Sequence, residues 1–170
     1  MIKTTRLRLV PIRAEVLTSL IKGDVQAAGE LQGFTFSSAF LDSVNEAFLT
    51  IQLKSIESTP SGEDWGVRAI VLEAGGEVIG HCGFHGPPEA VGRAEVGYTI
   101  FPEYRNHGYA SEAVTGLINV ARENGSKIVY AAVSPENSPS IRVLEKVGFL
   151  RTGAQENNGG AEEYVFEMNL

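Results

Sequence analysis

The amino-acid sequence predicts an α/β fold in which helices flank one mixed, mostly antiparallel sheet of about six to seven strands. Short apolar segments separated by turn residues fill the middle of the chain, which is typical of consecutive strands. Residues 93–133 follow a strand–helix–strand pattern whose last segment is almost entirely apolar, as expected for a parallel strand buried on both faces. Two segments near the end predict an antiparallel pair. The length of 170 residues fits a single domain, 1–170, with a core of its own.

The first part of the chain predicts one strand followed by a broken helix. TRLRLVPI (5–12) alternates apolar and basic residues and indicates a half-buried strand. Residues 14–31 have a weak helical pattern that is interrupted near Gly23 and Gly29. Residues 33–41 do not distinguish a helix from a strand.

A longer amphipathic helix is predicted over residues 42–58, with Asp42 or Ser43 as its N-cap. The cluster TPSGED (59–64) then indicates a turn. The apolar residues that this helix is expected to turn inward are Val44, Ala47, Phe48, Ile51 and Leu53.

Three strands follow in quick succession. WGVRAIVLE (65–73) and EVIGHCGFH (77–85) are separated by Ala-Gly-Gly at 74–76, which predicts a hairpin. GPPEAVG (86–92) is rich in turn residues and indicates a loop. RAEVGYTI (93–100) is the third strand.

The next helix is predicted from about Gly108 to Asn124, and Gly125 suits the position just after its end. Its apolar residues recur at helical spacing and define one inward face. They are Ala110, Ala113, Val114, Leu117, Ile118 and Ala121.

KIVYAAV (127–133) is the apolar segment that completes the strand–helix–strand unit. A second helix follows, with Asn137 and Ser138 at its cap, Pro139 in its first turn and Gly148 at its end. Its predicted inward residues are Ile141, Leu144 and Val147. FLRTGAQE (149–156) and EEYVFEMNL (162–170) predict the final antiparallel pair.

The composition excludes several classes of function. A net charge of −7 and a pI of about 5.0 give no basic surface for nucleic acid. The single cysteine, Cys82, cannot form an internal disulfide or a cysteine-rich zinc site. The N-terminal residues lack the apolar core of a secretion signal, and no segment approaches a membrane span. We therefore expect a cytoplasmic enzyme or binding domain that needs no metal.

The segment FPEYRNHGYASEAV (101–114) combines a positive charge, polar residues and a glycine with the start of a helix. The first N–H groups of a helix have no partner within it, and together with the helix dipole they favour an anion. Gly108 allows a ligand to approach closely, and Arg105 adds charge at the rim. A plain turn before a helix fits the same residues.

Two common nucleotide sites do not fit this segment. A P-loop needs Lys followed by Ser or Thr after its last glycine, whereas Gly108 is followed by Tyr109, Ala110 and Ser111. A dinucleotide site needs three spaced glycines and an acidic residue at the end of the next strand, which here ends in Val133.

Five segments in order resemble the GNAT superfamily of acyl-CoA-dependent N-acyltransferases. They are TTRLRLVPIRAE (4–15), EVIGHCGF (77–84), EVGYTIFPEYRNHGYASEA (95–113), YAAVSPENSPS (130–140) and IRVLEKVGF (141–149). The first two resemble the branch of Rim-type protein N-terminal acetyltransferases. The resemblance implies direct transfer of an acetyl group from acetyl-CoA to a primary amine, for which a protein N-terminus is one candidate. It also makes a homodimer a candidate assembly.

The resemblance also implies a set of cofactor-binding residues. The pyrophosphate of acetyl-CoA would lie on the backbone N–H groups of the R-x-x-G-x-A loop, and its pantetheine arm would lie along the preceding strand. The residues so implicated are Tyr98, Thr99, Ile100, Arg105, Asn106, His107, Gly108, Tyr109, Ala110, Ser111 and Asn137.

The catalytic residues are harder to place. A base must take a proton from the acceptor amine, and Glu95 is the candidate because it lies next to the cofactor strand. The alternates are Glu73, Glu77, His81 and His85. Many relatives carry a Tyr acid where this chain has Leu144, so Ser140 is the nearest substitute.

Two other functions remain open at this stage. The chain could bind acyl-CoA as a catalytically weak sensor or partner module, which Leu144 in the acid position favours. It could also bind phosphate without any acyl chemistry. Acceptor contacts in the family come mainly from the N-terminal helices, here within residues 20–63.

Overall fold

Eight strands make up one mixed sheet in the computed structural model, which describes residues 1–58, 62–89 and 91–170. They are β1 (Ile2–Lys3), β2 (Leu7–Pro11), β3 (Val67–Leu72), β4 (Val78–Phe84), β5 (Arg93–Ile100), β6 (Ile128–Val133), β7 (Leu150–Glu156) and β8 (Glu162–Asn169). Their order is β1-β2-β3-β4-β5-β6-β8-β7, and only β5 and β6 run parallel. The predicted mixed sheet is confirmed. Its additional strand, β1, is too short to show alternation in the sequence.

Within the described residues, six α-helices cover the two faces of the sheet. They are α1 (Ala14–Ile21), α2 (Val25–Gln32), α3 (Ser38–Ser43), α4 (Glu46–Ser58), α5 (Tyr109–Glu123) and α6 (Ser138–Val147). The core around α5 contains Leu117, Phe149 and Phe166, and a second core joins α1, α3 and α4 to the other face of β3. Among the described residues, no helix is both long and apolar enough to span a lipid bilayer.

The N-terminal helices differ from the prediction in their boundaries. Gly23, with φ 75°, separates α1 from α2 as expected, but the predicted break at Gly29 is wrong because that glycine lies inside α2. The predicted N-caps Asp42 and Ser43 belong to the preceding helix α3. The N-cap of α4 is instead Asn45, whose Oδ1 accepts a hydrogen bond from the N–H of Phe48 at 2.8 Å.

The inward face of α4 is also different from the predicted one. Ile51 is 63% exposed, whereas Leu49 and Gln52 are buried. Gln52 turns inward because its Oε1 accepts a hydrogen bond from the N–H of Val67 on β3 at 2.9 Å. Because one of the buried residues is polar, the pattern of apolar residues does not indicate the buried face of this helix. Two predicted turns, 59–64 and 86–92, are described only in part, because residues 59–61 and 90 lie outside the described residues.

The parallel pair β5–β6 separates soon after it starts. Only residues 93–95 of β5 pair with residues 128–130 of β6. From Val96 to Ile100, β5 pairs with β4 on one side but has no described ladder partner on the other. The backbone of this half of β5 is therefore available to an extended ligand.

Candidate active site

The loop between β5 and α5 presents a row of backbone donors. Asn106 has φ 65° and Gly108 has φ 80°, so the chain turns twice through the left-handed region before the helix begins. None of the six N–H groups of residues 106–111 donates a hydrogen bond to another described residue. Consecutive free N–H groups at a helix N-terminus form an anion site. All the loop residues predicted from the sequence lie here.

The side chain of Arg105 ties this loop to the strand. Its Nε donates a hydrogen bond to the carbonyl oxygen of Ile100 at 3.0 Å. The Nδ1–H of His107 donates to the carbonyl oxygen of Arg105 at 2.7 Å and closes the turn. Arg105 is exposed, so its positive charge stays at the rim of the loop.

The contacts that Arg6 makes with this loop could not be predicted from the sequence. Its Nη1 donates to the carbonyl oxygen of His107 at 3.0 Å, and its guanidinium lies 4.6 Å from the ring centroid of Tyr109. Its Nε pairs with the carboxylate of Glu112, in the first turn of α5, at 2.7 Å. In the sequence, Arg6 is only an outward residue of an alternating strand.

Glu112 is the centre of this contact. Besides the pair with Arg6, its Oε1 accepts hydrogen bonds from the hydroxyl of Thr4 at 2.6 Å and from the N–H of Arg6 at 2.7 Å. Burial raises the pKa of Glu112, but the bonds from Thr4 and Arg6 outweigh it and hold the pKa below its usual range. The N-terminal segment is therefore fixed to the end of α5 that carries the loop.

A cavity of about 200 Å³ lies beside the free half of β5. Its lining residues come from α4, β3, β4 and β5 and from the residue after β4. They are Phe48, Val67, His81, Cys82, Gly83, Phe84, His85, Gly97, Tyr98 and Thr99. Two of the residues predicted to hold the pantetheine arm, Tyr98 and Thr99, thus border the cavity.

His85 stands at this cavity with a carboxylate behind it. Its Nδ1 lies 3.1 Å from Oε1 of Glu95, and 46% of its side chain is exposed. A Cβ at position 97 would lie 2.8 Å from His85 Nε2, so Gly97 leaves the space that the imidazole occupies. The hydrogen bond to Glu95 raises the pKa of His85, and burial opposes this only in part.

Glu95 is itself held in place. The hydroxyl of Tyr130 donates to its Oε2 at 3.0 Å, and Arg93 lies over the Tyr130 ring at 3.6 Å from the centroid. Burial raises the pKa of Glu95, but the contacts with His85, Tyr130 and Arg93 outweigh it, so the pKa lies below its ordinary value. Glu95 therefore carries a negative charge at neutral pH, which makes it a partner for His85.

His81, the other histidine that lines the cavity, lies within β4 and has a different environment. His81 is 8% exposed, and its ring centroid lies 5.7 Å from that of Phe40 and 5.9 Å from that of Phe48. Its Nε2 is buried without a hydrogen-bond partner among the described residues. Burial lowers the pKa of His81 to about 4, so the ring is neutral at pH 7.

The remaining predicted residues lie elsewhere. Asn137 caps α6, since its Oδ1 accepts a hydrogen bond from the N–H of Ser140 at 3.2 Å. The carbonyl oxygen of Ser140 accepts a hydrogen bond from the hydroxyl of Tyr98 at 3.1 Å, and burial raises the pKa of Tyr98 to about 12. Glu95 and Ser140 are not among the lining residues of the cavity. Leu144 is buried in the core around α5.

The other two candidate bases, Glu73 and Glu77, flank the hairpin turn at the end of the β3–β4 pair away from His85. Glu73 pairs with Arg8 at 3.0 Å, and Glu77 lies just before β4, at the opposite end from His85. Burial raises the pKa of Cys82 to about 12, so its thiol stays protonated at neutral pH. In the part of the chain that the structure describes, no group of His, Cys, Asp or Glu is arranged to hold a metal.

A left-handed loop at a helix N-terminus, a strand with one free edge and a cavity with two histidines together make up the candidate site. The acetyltransferase (GNAT) domain family matches residues 6–150 of this chain. The chain therefore belongs to the GNAT family of acetyltransferases and is an N-acetyltransferase.

Relatives and solved structures agree with this assignment. The chain is 33% identical over 156 residues to the uncharacterized N-acetyltransferase YjdG of Bacillus subtilis, which covers 88% of this chain and 89% of YjdG. Its fold is similar to that of a putative ribosomal-protein-serine acetyltransferase from Vibrio cholerae (TM-score 0.69, 19% identity, 99% and 97% of the two chains). The microcin C7 self-immunity acetyltransferase MccE, solved with acetyl-CoA and AMP, has a TM-score of 0.67 at 16% identity over 98% and 94%.

Proposed function

We propose that this protein transfers an acetyl group from acetyl-CoA to a primary amine by direct transfer. The observation that supports it best is that six free N–H groups at 106–111 follow the free edge of β5, and that residues 97–99 of this same edge line the cavity. The residues fit the cosubstrate because the loop offers donors to a pyrophosphate and the strand edge offers donors and acceptors to an amide-containing arm. The similar protein MccE was solved with acetyl-CoA.

Each part of the site has a role in this proposal. Backbone N–H groups of Asn106 to Ser111 would hold the pyrophosphate, with Arg105 adding positive charge at the rim. The backbone of residues 98–100 would hold the arm, and Asn137 would contact the cosubstrate from the cap of α6. Acetyl-CoA supplies an acetyl group already activated as a thioester. The protein's main contribution is then to position the amine beside it.

We assign the base to His85 and give Glu95 a positioning role. With Nδ1–H donating to Glu95, His85 presents Nε2 at the cavity, where it can take the proton that the amine loses. The amide C–N bond forms as the thioester C–S bond breaks, and CoA leaves as a thiolate that must then be protonated. Ser140 remains the candidate for protonating the CoA sulfur. Its carbonyl oxygen accepts a hydrogen bond from the hydroxyl of Tyr98, on the free half of β5.

The acceptor is a primary amine in this proposal, and a protein N-terminus is one candidate. Structural neighbours include a RimJ from Mycobacterium smegmatis and a ribosomal-protein-S5-alanine acetyltransferase from Vibrio fischeri. At 17% and 18% identity these likenesses concern the fold.

Two measurements test the proposal. Titration calorimetry should give micromolar binding of acetyl-CoA and much weaker binding of ATP. A thiol-release assay with primary amines and short peptides should then detect CoA only when an amine is present. Binding without any thiol release would favour a sensor that has lost activity, and tighter binding of ATP would overturn the proposal.

A further inference from the structure

The cavity beside β5 is apolar over most of its wall. Phe48 of α4, Val67 of β3 and Phe84 of β4 line it. Phe84 packs against Trp65 with ring centroids 4.7 Å apart, and both rings are buried, so this wall is fixed by the core behind it. An apolar wall of this kind favours an apolar group from the ligand.

The same cavity lacks the charges that a second cation would need. None of its described lining residues is Asp, Glu, Lys or Arg. Its inner histidine, His81, is neutral at pH 7 because burial lowers its pKa to about 4. A second ammonium group placed here would be buried without a counter-charge, which is strongly unfavourable. Glu95, whose Oε1 lies 3.1 Å from Nδ1 of His85, is not a lining residue of the cavity.

The size of the cavity sets an upper limit on the group that enters it. Gly83 of β4 and Gly97 of β5 are direct partners in the ladder, so two neighbouring positions of its floor carry no side chain. An apolar cavity of roughly 150 Å³ is large enough to bind benzene. At about 200 Å³ this cavity is of the size that a benzyl group or a branched aliphatic chain would fill.

We propose that the acceptor is a hydrophobic monoamine, in which the carbon chain next to the primary amine carries one apolar group no larger than benzyl. Small amines with one apolar group and peptides whose first residue is apolar both offer a primary amine next to an apolar group. Polyamines and aminoglycosides are disfavoured because their further ammonium groups would meet no carboxylate among the described lining residues of the cavity. This inference rests on the proposed function, since it names the acceptor of the same transfer.

The test compares acceptors at a saturating concentration of acetyl-CoA. We expect kcat/KM for phenethylamine and isoamylamine to exceed that for spermidine and kanamycin by about tenfold or more, since a hydrophobic pocket discriminates by roughly 10–200-fold per group. Peptides beginning with Leu or Phe, compared with Asp or Lys, form a second arm. Preference within the peptides alone would identify a protein N-terminus, and preference within the free amines alone would identify a small molecule.

Two variants connect the preference to the cavity. Phe48→Ala enlarges it and should shift the preference towards bulkier amines such as naphthylmethylamine. Val67→Phe fills it and should reduce kcat/KM for phenethylamine more than for ethylamine. Ile51→Ala, on the exposed face of the same helix as Phe48, is the matched control and should change neither ratio.

Each failure has a separate meaning. If spermidine or kanamycin is the better acceptor, or if Phe48→Ala leaves the ratios unchanged, the acceptor class is wrong while acetyl transfer stands. If acetyl-CoA binds but no amine in either arm releases thiol, the transfer itself is wrong. Calorimetry of each variant with CoA shows whether it still folds around the cosubstrate.

Discussion

The loop at 105–111 follows the end of β5, whereas the histidine cavity lies beside residues 97–99 of its free half, and the two regions use different chemical groups. The loop offers main-chain N–H groups whose direction depends on two residues in the left-handed region, Asn106 and Gly108. The cavity offers side chains, with His81 from β4, His85 from just after this strand and Phe48 from a helix distant in the sequence. One region is defined by backbone conformation and the other by tertiary packing.

This difference determines how each region should respond to substitution. Most side chains of the loop can change without removing a donor, so only residues that control its backbone should affect cosubstrate binding. In the cavity the side chains themselves contact the substrate or take its proton, so a single substitution should affect turnover.

His85→Gln should lower kcat by roughly 10²–10⁴-fold, since that is the usual contribution of a positioned base. The CoA dissociation constant should stay unchanged, because His85 is a cavity residue and not part of the loop. Steady-state kinetics together with CoA calorimetry separate the two effects. A variant that keeps full turnover would remove His85 from the base role and return it to Glu95.

The pH profile sharpens this prediction. Glu95 raises the pKa of His85, and only the neutral imidazole can accept a proton, so kcat/KM should fall as the pH drops through that raised pKa. Glu95→Gln removes the negative charge and lowers the pKa of His85. The acid limb of the profile should then move to lower pH. An unmoved limb would indicate that another group titrates.

His81, whose pKa is lowered and not raised, should make the stability of the fold sensitive to acid. Its pKa is about 4 in the folded protein and about 6.5 when unfolded, so the unfolded state binds the proton first. The contribution of His81 to the free energy of unfolding is fully present above pH 6.5 and is lost as the pH falls towards 4. At pH 5 the loss amounts to about 2 kcal/mol. Urea unfolding at pH 7 and pH 5 measures it.

The control for His81 is the variant His81→Phe. It should lose less stability between pH 7 and pH 5 than the wild type does. His85→Gln should not reduce the loss, because the pKa of His85 is shifted upwards and its contribution is present below its unfolded pKa. Equal losses in the wild type and in His81→Phe would show that His81 is not the residue responsible.

Gly108→Ala should weaken CoA binding about tenfold, since the left-handed conformation costs an L-residue roughly 1–2 kcal/mol. The added Cβ would meet only Nη2 of Arg6, at 3.6 Å, so the effect is conformational. Gly125→Ala is the matched control, because Gly125 has φ 79° at the other end of α5 and open space around it. Both variants should lose stability, but only Gly108→Ala should lose affinity.

The same contrast explains how much the sequence could predict. The loop, helix α5 and strand β6 are local patterns, and the predicted strand over 93–100 matches β5 at both ends. The strand pairing followed from the short turn at 74–76 and from the crossover. These elements need no information from distant residues.

The cavity could not be predicted in the same way. Asn45 and Gln52 control the start and the inward face of α4 through hydrogen bonds, and one of these reaches β3. That packing brings Phe48 against His81. His85 was only one of several alternates, because its contact with Glu95 depends on the β4–β5 register. The role of Arg6 was missed because its partner, Glu112, lies 106 residues away.

Arg6→Ala should produce the smallest of these effects, a loss of about fivefold in CoA affinity. Exposed ion pairs contribute roughly 0.2–1 kcal/mol, and Arg6 adds a hydrogen bond to the His107 carbonyl within the loop. Arg6→Lys should restore part of the affinity, since it keeps the charge but loses the planar fork that contacts His107 and Glu112 together.

A role in positioning the loop predicts more than a loss of stability. Arg8→Ala is the matched control, because Arg8 lies on β2, two residues along the chain, and pairs with Glu73 away from the loop. Arg6→Ala should raise the KM for acetyl-CoA and leave the KM for S-acetylpantetheine unchanged, because the latter has no pyrophosphate. If both KM values rise together, or if Arg8→Ala has the same effect, Arg6 only stabilises the fold.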